Sequence, residues 1–300
     1  MFKSIIIFLI FIVSLYAKIE PYNIFPKKSS QKFKIKILDV KRLRFSDVNE
    51  LSALAYKNNT LFALSDQGIL YQFEIKILNN KINKLFLKEK YLLKNKKNRV
   101  FKKKKRDSEG LCFYKKGFLI SFERKNRILY CSKYGKKILK LKINSLLENN
   151  KNYRSENKGL ESVVYSKRYG LITTPEYPLK IADKRYHTLY AKDRVWKFFA
   201  EGAVTDMSFI NETNLLVLLR EYSYFTQHRV TLLVEVNLDL CDKNNLCKSE
   251  VLAKLDSDKG WKIDNFEGLT KVGKNKFLMI SDNNDFIFQK TLLVLFEIMN

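Results

Sequence analysis

Histidine is almost absent: His187 and His228 are the two in 300 residues. Neither stands in an Arg-His-Gly setting, which tells against a histidine phosphatase. No Gly-x-Ser-x-Gly nucleophile elbow supports a Ser-His-Asp hydrolase. Glycine (ten) and proline (four) are scarce, and no glycine-rich loop is available to cradle a phosphate. The four cysteines form no Cys-x-x-Cys pair of the kind that holds zinc. After residue 17 no apolar run approaches the ~20 residues a membrane helix needs. Acids are also in deficit, with 31 Asp and Glu against 57 Lys and Arg, a net charge of +26.

What remains is a foldable, strand-prone composition: 46% apolar, 13% aromatic, with 22 Phe and 16 Tyr. The positive field would attract nucleic acid, anionic lipid head groups or phosphorylated molecules. The lysines are spread along the whole chain, so most read as solvated surface. Met1-Phe2-Lys3, the apolar run Ile5 to Val13 and Ser14-Leu15-Tyr16-Ala17 read as a secretory signal over 1–17, with an uncleaved anchor as the alternative. Either places the rest outside the cytoplasm, periplasmic or secreted, and argues against nucleic acid as the natural partner. In that setting Cys241 and Cys247, which bracket a turn, are expected to form a local disulfide. Cys112 and Cys131 fall on strands separated by a third and are expected to be free thiols.

Short apolar or alternating runs recur with turn residues between them. Leu51 to Tyr56, Thr60 to Ser65 and Ile69 to Ile75 predict a three-stranded unit. Four-stranded units follow over 110–143, 160–200 and 204–255, and a three-stranded one over 266–298. Phe33 to Val40 alternates, has no partner of its own, and would complete the last unit. The expected architecture is an all-β propeller of five or six four-stranded blades over residues 33–300, closed by that strand, with a lead-in over 18–32. A β-sandwich is the competing fold. Leu92 to Arg106 and Ser145 to Lys158 read as loops between blades.

An acid stands at the head of each unit: Glu50, Glu109, Glu161, Asp206 and Glu267. A second polar cluster ends each second strand: Ser65-Asp66, Glu123-Arg124, Glu176, Arg220-Glu221 and Ser281-Asp282-Asn283-Asn284-Asp285. Packing around an axis would bring each set together. Because successive strands run in opposite directions, the two sets either occupy opposite ends of the channel or are folded together by loops. Such rings suit calcium, which takes six to eight oxygens from carboxylates and carbonyls. The competing reading is architectural, with acids accepting backbone N–H bonds or pairing with a neighbouring blade's arginine.

Asp107-Ser108-Glu109-Gly110-Leu111, Gly159-Leu160-Glu161-Ser162 and Asp264-Asn265-Phe266-Glu267-Gly268-Leu269, with the ending Ser281-Asp282-Asn283-Asn284, resemble the phytase-like β-propeller family, also described as esterase-like. The resemblance runs from about Asn49 to the C-terminus. It implies an exported propeller hydrolysing phosphate or carboxylic esters. On that basis Glu109, Glu161, Glu267 and Asp282 are the expected catalytic acids. The same four with Asn283 are the expected calcium ligands, and Arg124, Arg220 and Lys271 the expected contacts for a small anionic or ester substrate. A monomer is expected, with weak envelope association through the basic field. The alternative is a non-catalytic propeller that binds a ligand or protein.

Overall fold

The computed structural model describes residues 18–27, 32–45, 48–223, 225–283 and 289–299. The signal segment 1–17 and Asn284-Asp285 lie outside the described residues. The strands build five antiparallel sheets. The first holds β3 (Leu51–Lys57), β4 (Thr60–Ser65), β5 (Ile69–Leu78) and β6 (Lys81–Leu92). The second holds β7 (Ser108–Tyr114), β8 (Gly117–Phe122), β9 (Arg127–Ser132) and β10 (Lys137–Lys140). The third holds β11 (Leu160–Ser166), β12 (Gly170–Pro175), β13 (Tyr186–Tyr190) and β14 (Val195–Phe199). The fourth holds β15 (Ala203–Phe209), β16 (Asn214–Tyr222), β17 (Arg229–Cys241) and β18 (Cys247–Asp256).

The fifth sheet joins the two ends of the chain. Its order is β19 (Asn265–Lys271), β20 (Lys276–Asp282), β21 (Thr291–Ile298), β2 (Ile35–Arg44) and β1 (Lys18–Pro21). Strand β2 runs antiparallel to β21 from Ile35↔Ile298 to Leu43↔Thr291. The closing strand expected over Phe33 to Val40 is therefore present, and the lead-in adds an outer fifth strand. The fold is a five-bladed β-propeller, which resolves the choice between five and six blades. The first blade has the fourth strand that the sequence reading lacked. Strand β6 is an outer edge studded with exposed lysines, so its apolar alternation is weak.

Five clusters of buried side chains lie between successive blades. Phe73 and Leu293 belong to one cluster across the first and fifth, and Leu64 and Phe118 to another across the first and second, where Phe62 packs on Phe118 with centroids 4.9 Å apart. Leu119 and Val163 share a cluster across the second and third, Trp196 and Val217 one across the third and fourth, and Leu218 and Phe266 one across the fourth and fifth. Middle strands are consequently buried on both faces. Strand β8 is buried at every position, which explains its unbroken apolar run. Each fully buried Leu, Ile or Phe contributes ~1.5–3 kcal/mol of transfer free energy. Innermost strands β3, β7, β11, β15 and β19 each abut the next around the axis.

Cys241 and Cys247 are disulfide-bonded across the β17–β18 hairpin. Cys112, on β7, and Cys131, on β9, are free; Cys131 is buried and Cys112 half-buried.

Candidate functional site

Every innermost strand carries a β-bulge at the same place, near its start. The extra residue is Ser52, Glu109 (with Gly110), Glu161, Thr205 and Glu267 in the five blades. The residue opening each second-strand exit is Asp66, Glu123, Glu176, Arg220 and Asp282. A bulge re-aims the side chain it carries, and here the two rings face each other at one mouth of the channel. The uncertainty over opposite ends is resolved by hairpin geometry. The start of a strand lies beside the end of its antiparallel partner, as in Asn265↔Asp282 and Ala203↔Arg220.

This register corrects two of the five acids assigned to blade heads. Glu50 precedes its strand with φ 54°. Its carbonyl accepts the Asp66 N–H at 3.1 Å, and its N–H donates to Asn283 Oδ1 at 3.3 Å. Glu50 and Asn283 thus secure the rim, and neither lines the acidic cavity. Asp206 lies one step inside the ring, at the level of Ala53, Gly110, Ser162 and Gly268. It is buried on the axis, where Oδ1 accepts from Ser162 Oγ (2.6 Å) and Met207 N (2.8 Å) and Oδ2 from Leu269 N (2.7 Å). Burial pushes its pKa up to about 8 against the lowering effect of these donors. Asp206 stitches the third, fourth and fifth blades together and closes the channel.

The glycine of the Glu-Gly-Leu motif has a steric origin. A Cβ on Gly110 would lie 2.5 Å from Ser121 Oγ and 2.8 Å from Ser162 Cα; one on Gly268 would meet Ala53 backbone at 3.0 Å. At these two positions the ring beneath the acids has no room for a side chain, and its other members are Ala53, Ser162 and the bridging Asp206.

Above that floor is a cavity of about 170 Å³ lined by Asp66, Asp107, Glu109, Glu123, Glu161, Glu176, Glu267 and Asp282, with Arg124, Lys158 and Arg220 as its cations. Carboxylate oxygens of Asp107, Glu109 and Glu123 all lie within 4.8 Å of one another, and so do those of Glu123, Glu161 and Glu176. Glu123 belongs to both groups. Its Oε1 also accepts the Gly159 N–H at 2.9 Å, which joins the second and third blades. Arg220 Nη1 is 2.7 Å from Glu267 Oε1, and Nη2 is 3.7 Å from Glu176 Oε1. Lys158 Nζ is 2.8 Å from Glu176 Oε1, and Arg124 pairs with Asp107 at the rim.

Acids outnumber cations here, and the titrations follow. Burial, then the neighbouring Glu50, Asp107 and Glu267, push Asp66 up to about 7. Burial pushes Glu123 up to about 7 despite the Gly159 N–H. Glu109 and Glu161 are raised well above the carboxylate range by burial and by nearby carboxylates. Burial raises Glu267, opposed by Arg220. Burial disfavours the Arg220 charge, but Glu267, Glu176, Glu161 and Asp282 hold its pKa above the ordinary value.

Of the expected site residues, Glu109, Glu161, Glu267, Asp282, Arg124 and Arg220 converge. Lys271 does not: it ends β19 at the far mouth, where Nζ donates to the Ile210 carbonyl. Sequence reasoning had noted Asp66, Glu123 and Glu176 as strand-end polar residues without placing them in the site. It missed Lys158 altogether, because nothing in a loop sequence reports that it folds over a mouth.

A family model described as "Phytase-like: Esterase-like activity of phytase" matches residues 46–285, and the chain belongs to this family. Among curated proteins none matches. Among solved structures, glutaminyl cyclase from Myxococcus xanthus is 10% identical (TM-score 0.49), with 89% of this chain and 97% of that one covered. The PQQ-bound aldose sugar dehydrogenase from Streptomyces coelicolor is also 10% identical (TM-score 0.45), with 89% and 98% covered.

Proposed function

We propose that the acidic mouth binds a divalent cation, calcium above all, and hydrolyses a phosphate or carboxylic ester of a small substrate there. The observation that carries this reading is the pair of carboxylate triads sharing Glu123. The donor set fits the ion: it is all oxygen, without the His or Cys that softer metals prefer. Asp66 Oδ1 is buried in the cavity wall with no hydrogen-bond partner, and burial first, then neighbouring carboxylates, raises Asp66 and Glu109, so that a cation among them would relieve their mutual repulsion.

Glu109, Glu123, Glu161 and Glu176 would hold the ion, with Asp66, Glu267 and Asp282 around them. A bound cation supplies polarisation of an ester oxygen and a more acidic water. A carboxylate beside the ion and outside its ligand set, such as Asp282, would take a proton from that water. Arg124 and Lys158, the more exposed cations of the mouth, would meet an incoming anion although each also pairs with an acid, Asp107 and Glu176, whereas Arg220 sits deeper between Glu267 and Glu176 and orients them. Export fits this reading, since calcium sites outside the cytoplasm work at ~10⁻⁴–10⁻³ M and Cys241–Cys247 is oxidised. The alternative of a ligand-binding propeller without turnover draws support from how many of these acids already serve blade-to-blade bonds.

The test combines calcium titration with turnover of p-nitrophenyl phosphate and p-nitrophenyl acetate, with and without EDTA. Calcium binding weakened at least tenfold in Glu123→Gln, together with EDTA-sensitive turnover, supports the proposal. Binding without turnover above a Glu109→Gln/Asp282→Asn double variant supports the alternative. No calcium binding defeats the calcium-assisted hydrolase.

A further inference from the structure

The opposite end of the channel has a different chemistry. Three residues beyond the tight ring, the five innermost strands place Tyr56, Phe113, Tyr165, Phe209 and Lys271 at equivalent registers. These surround a cavity of about 260 Å³ whose wall includes Ala55, Cys112, Val164, Ser208 and Thr270. Asp206 and its bonded partners separate it from the acidic mouth. The aromatic walls are braced from behind. Phe113 packs on Phe118 (4.9 Å between centroids), Tyr165 on Tyr114 (4.8 Å) and Phe209 on Tyr169 (6.4 Å, stacked).

The rim of this mouth is the set of hairpin turns that leave the innermost strands, over 57–60, 114–117, 166–170, 209–214 and 271–276. They carry Lys57, Lys115, Lys116, Lys167, Arg168, Lys271, Lys274 and Lys276, the last bonded to Asn80 Oδ1. Glu212 is the single acid on these turns, and Arg168 is paired with Asp239. Lys57 Nζ lies 5.7 Å from the Phe113 ring centroid. Lys271 Nζ is held beside the cavity by one bond, to the Ile210 carbonyl, which leaves two of its three donors for another acceptor.

We infer that this basic, aromatic-walled mouth is a second binding site, for a small organic anion with a flat apolar body such as an aryl carboxylate. Charge complementarity selects the anion, and the four aromatic rings select the planar body. The cavity is somewhat smaller than the ~300–1,000 Å³ of sites for drug-sized ligands, so the occupant has one or two rings. The concavity argues against a flat lipid surface: the rings other than Tyr165 are recessed behind the lysine-bearing turns. The inference is independent of catalysis at the acidic mouth, which repels anions unless a cation fills it.

Isothermal titration of the native protein with 2-naphthoate is the test. One site of about millimolar affinity or tighter is expected for a ligand of this size, and neutral methyl 2-naphthoate should bind about tenfold more weakly or not at all. Lys271→Met should weaken 2-naphthoate about tenfold. Tyr165→Ala, on an exposed rim residue, should do the same and covers the case where Lys271→Met fails to fold. Glu123→Gln, at the other mouth, should leave the affinity unchanged. No binding at millimolar 2-naphthoate, equal binding of the ester, loss of binding in Glu123→Gln, or capture by phosphatidylglycerol vesicles without naphthoate binding would each overturn the inference.

Discussion

Arg220 Nη1 sits 2.7 Å from Glu267 Oε1, joining the second strand of the fourth blade to the bulge of the fifth. In four blades the second-strand exit offers an acid, and in the fourth it offers this guanidinium. One cation of fixed charge, which also bonds Asn265 Oδ1, keeps the acidic ring from repelling itself apart.

Arg220→Met should therefore destabilise the fold by about 3 kcal/mol, the range for stripping one partner from a largely buried pair. Urea unfolding at pH 7 measures it. The deficit should shrink at pH 5, where the abandoned acids take up protons. A loss that is the same at both pH values would show that packing, not charge, is responsible.

The acids predict an inverted pH profile. Asp66 and Glu123 have folded pKa values of about 7, above those of the unfolded chain. The folded state then binds more protons than the unfolded state between roughly pH 4 and 7. Their stabilising contribution is complete below the unfolded value and is lost as pH rises through 7. In EDTA, the melting temperature should be lower at pH 8 than at pH 5. If the mouth binds calcium, added calcium should raise the pH 8 value and leave the pH 5 value almost unchanged.

Asp206→Asn tests the axial closure. The side chain accepts from Ser162 Oγ, Met207 N and Leu269 N, and an amide would turn its NH₂ towards one of those donors. A loss of ~1–3 kcal/mol, the cost of a buried group left unsatisfied, is expected in chemical denaturation at about pH 9, above the pKa of about 8 where the carboxylate is ionised. An unchanged midpoint would mean that Asp206 is not the hub described.

Gly110→Ala should cost ~1–3 kcal/mol, as overpacking does, because its Cβ would press on the Ser162 backbone of the next blade. The midpoint of thermal or urea unfolding reports it, and a neutral result would mean that the blades part easily at the axis.

Much of this was legible in the sequence, because blade cores are local: hairpins of alternating or wholly apolar residues, spaced by turns, declare themselves in one dimension. The all-β class, the closing strand before the first blade and the recurrence of acids ahead of apolar strands were readable. Strand β6 was not, since an edge strand rich in exposed lysine carries little periodic signal. Which acids are equivalent was also hidden. Glu50 and Asp206 stand near the expected spacing, but a one-residue bulge sets whether a side chain faces the mouth, the axis or the rim, and Ser52 and Thr205 take the bulge positions instead.

By itself, the order of residues determined the strands, the turns and the identity of the charges. Only closure of the ring decided which charges meet. It set Glu123 between two carboxylate groups, turned Arg220 inward and sent Lys271 to the far mouth. Those distances depend on how five sheets pack about one axis, a sum of contacts between different strands and blades that no local pattern records.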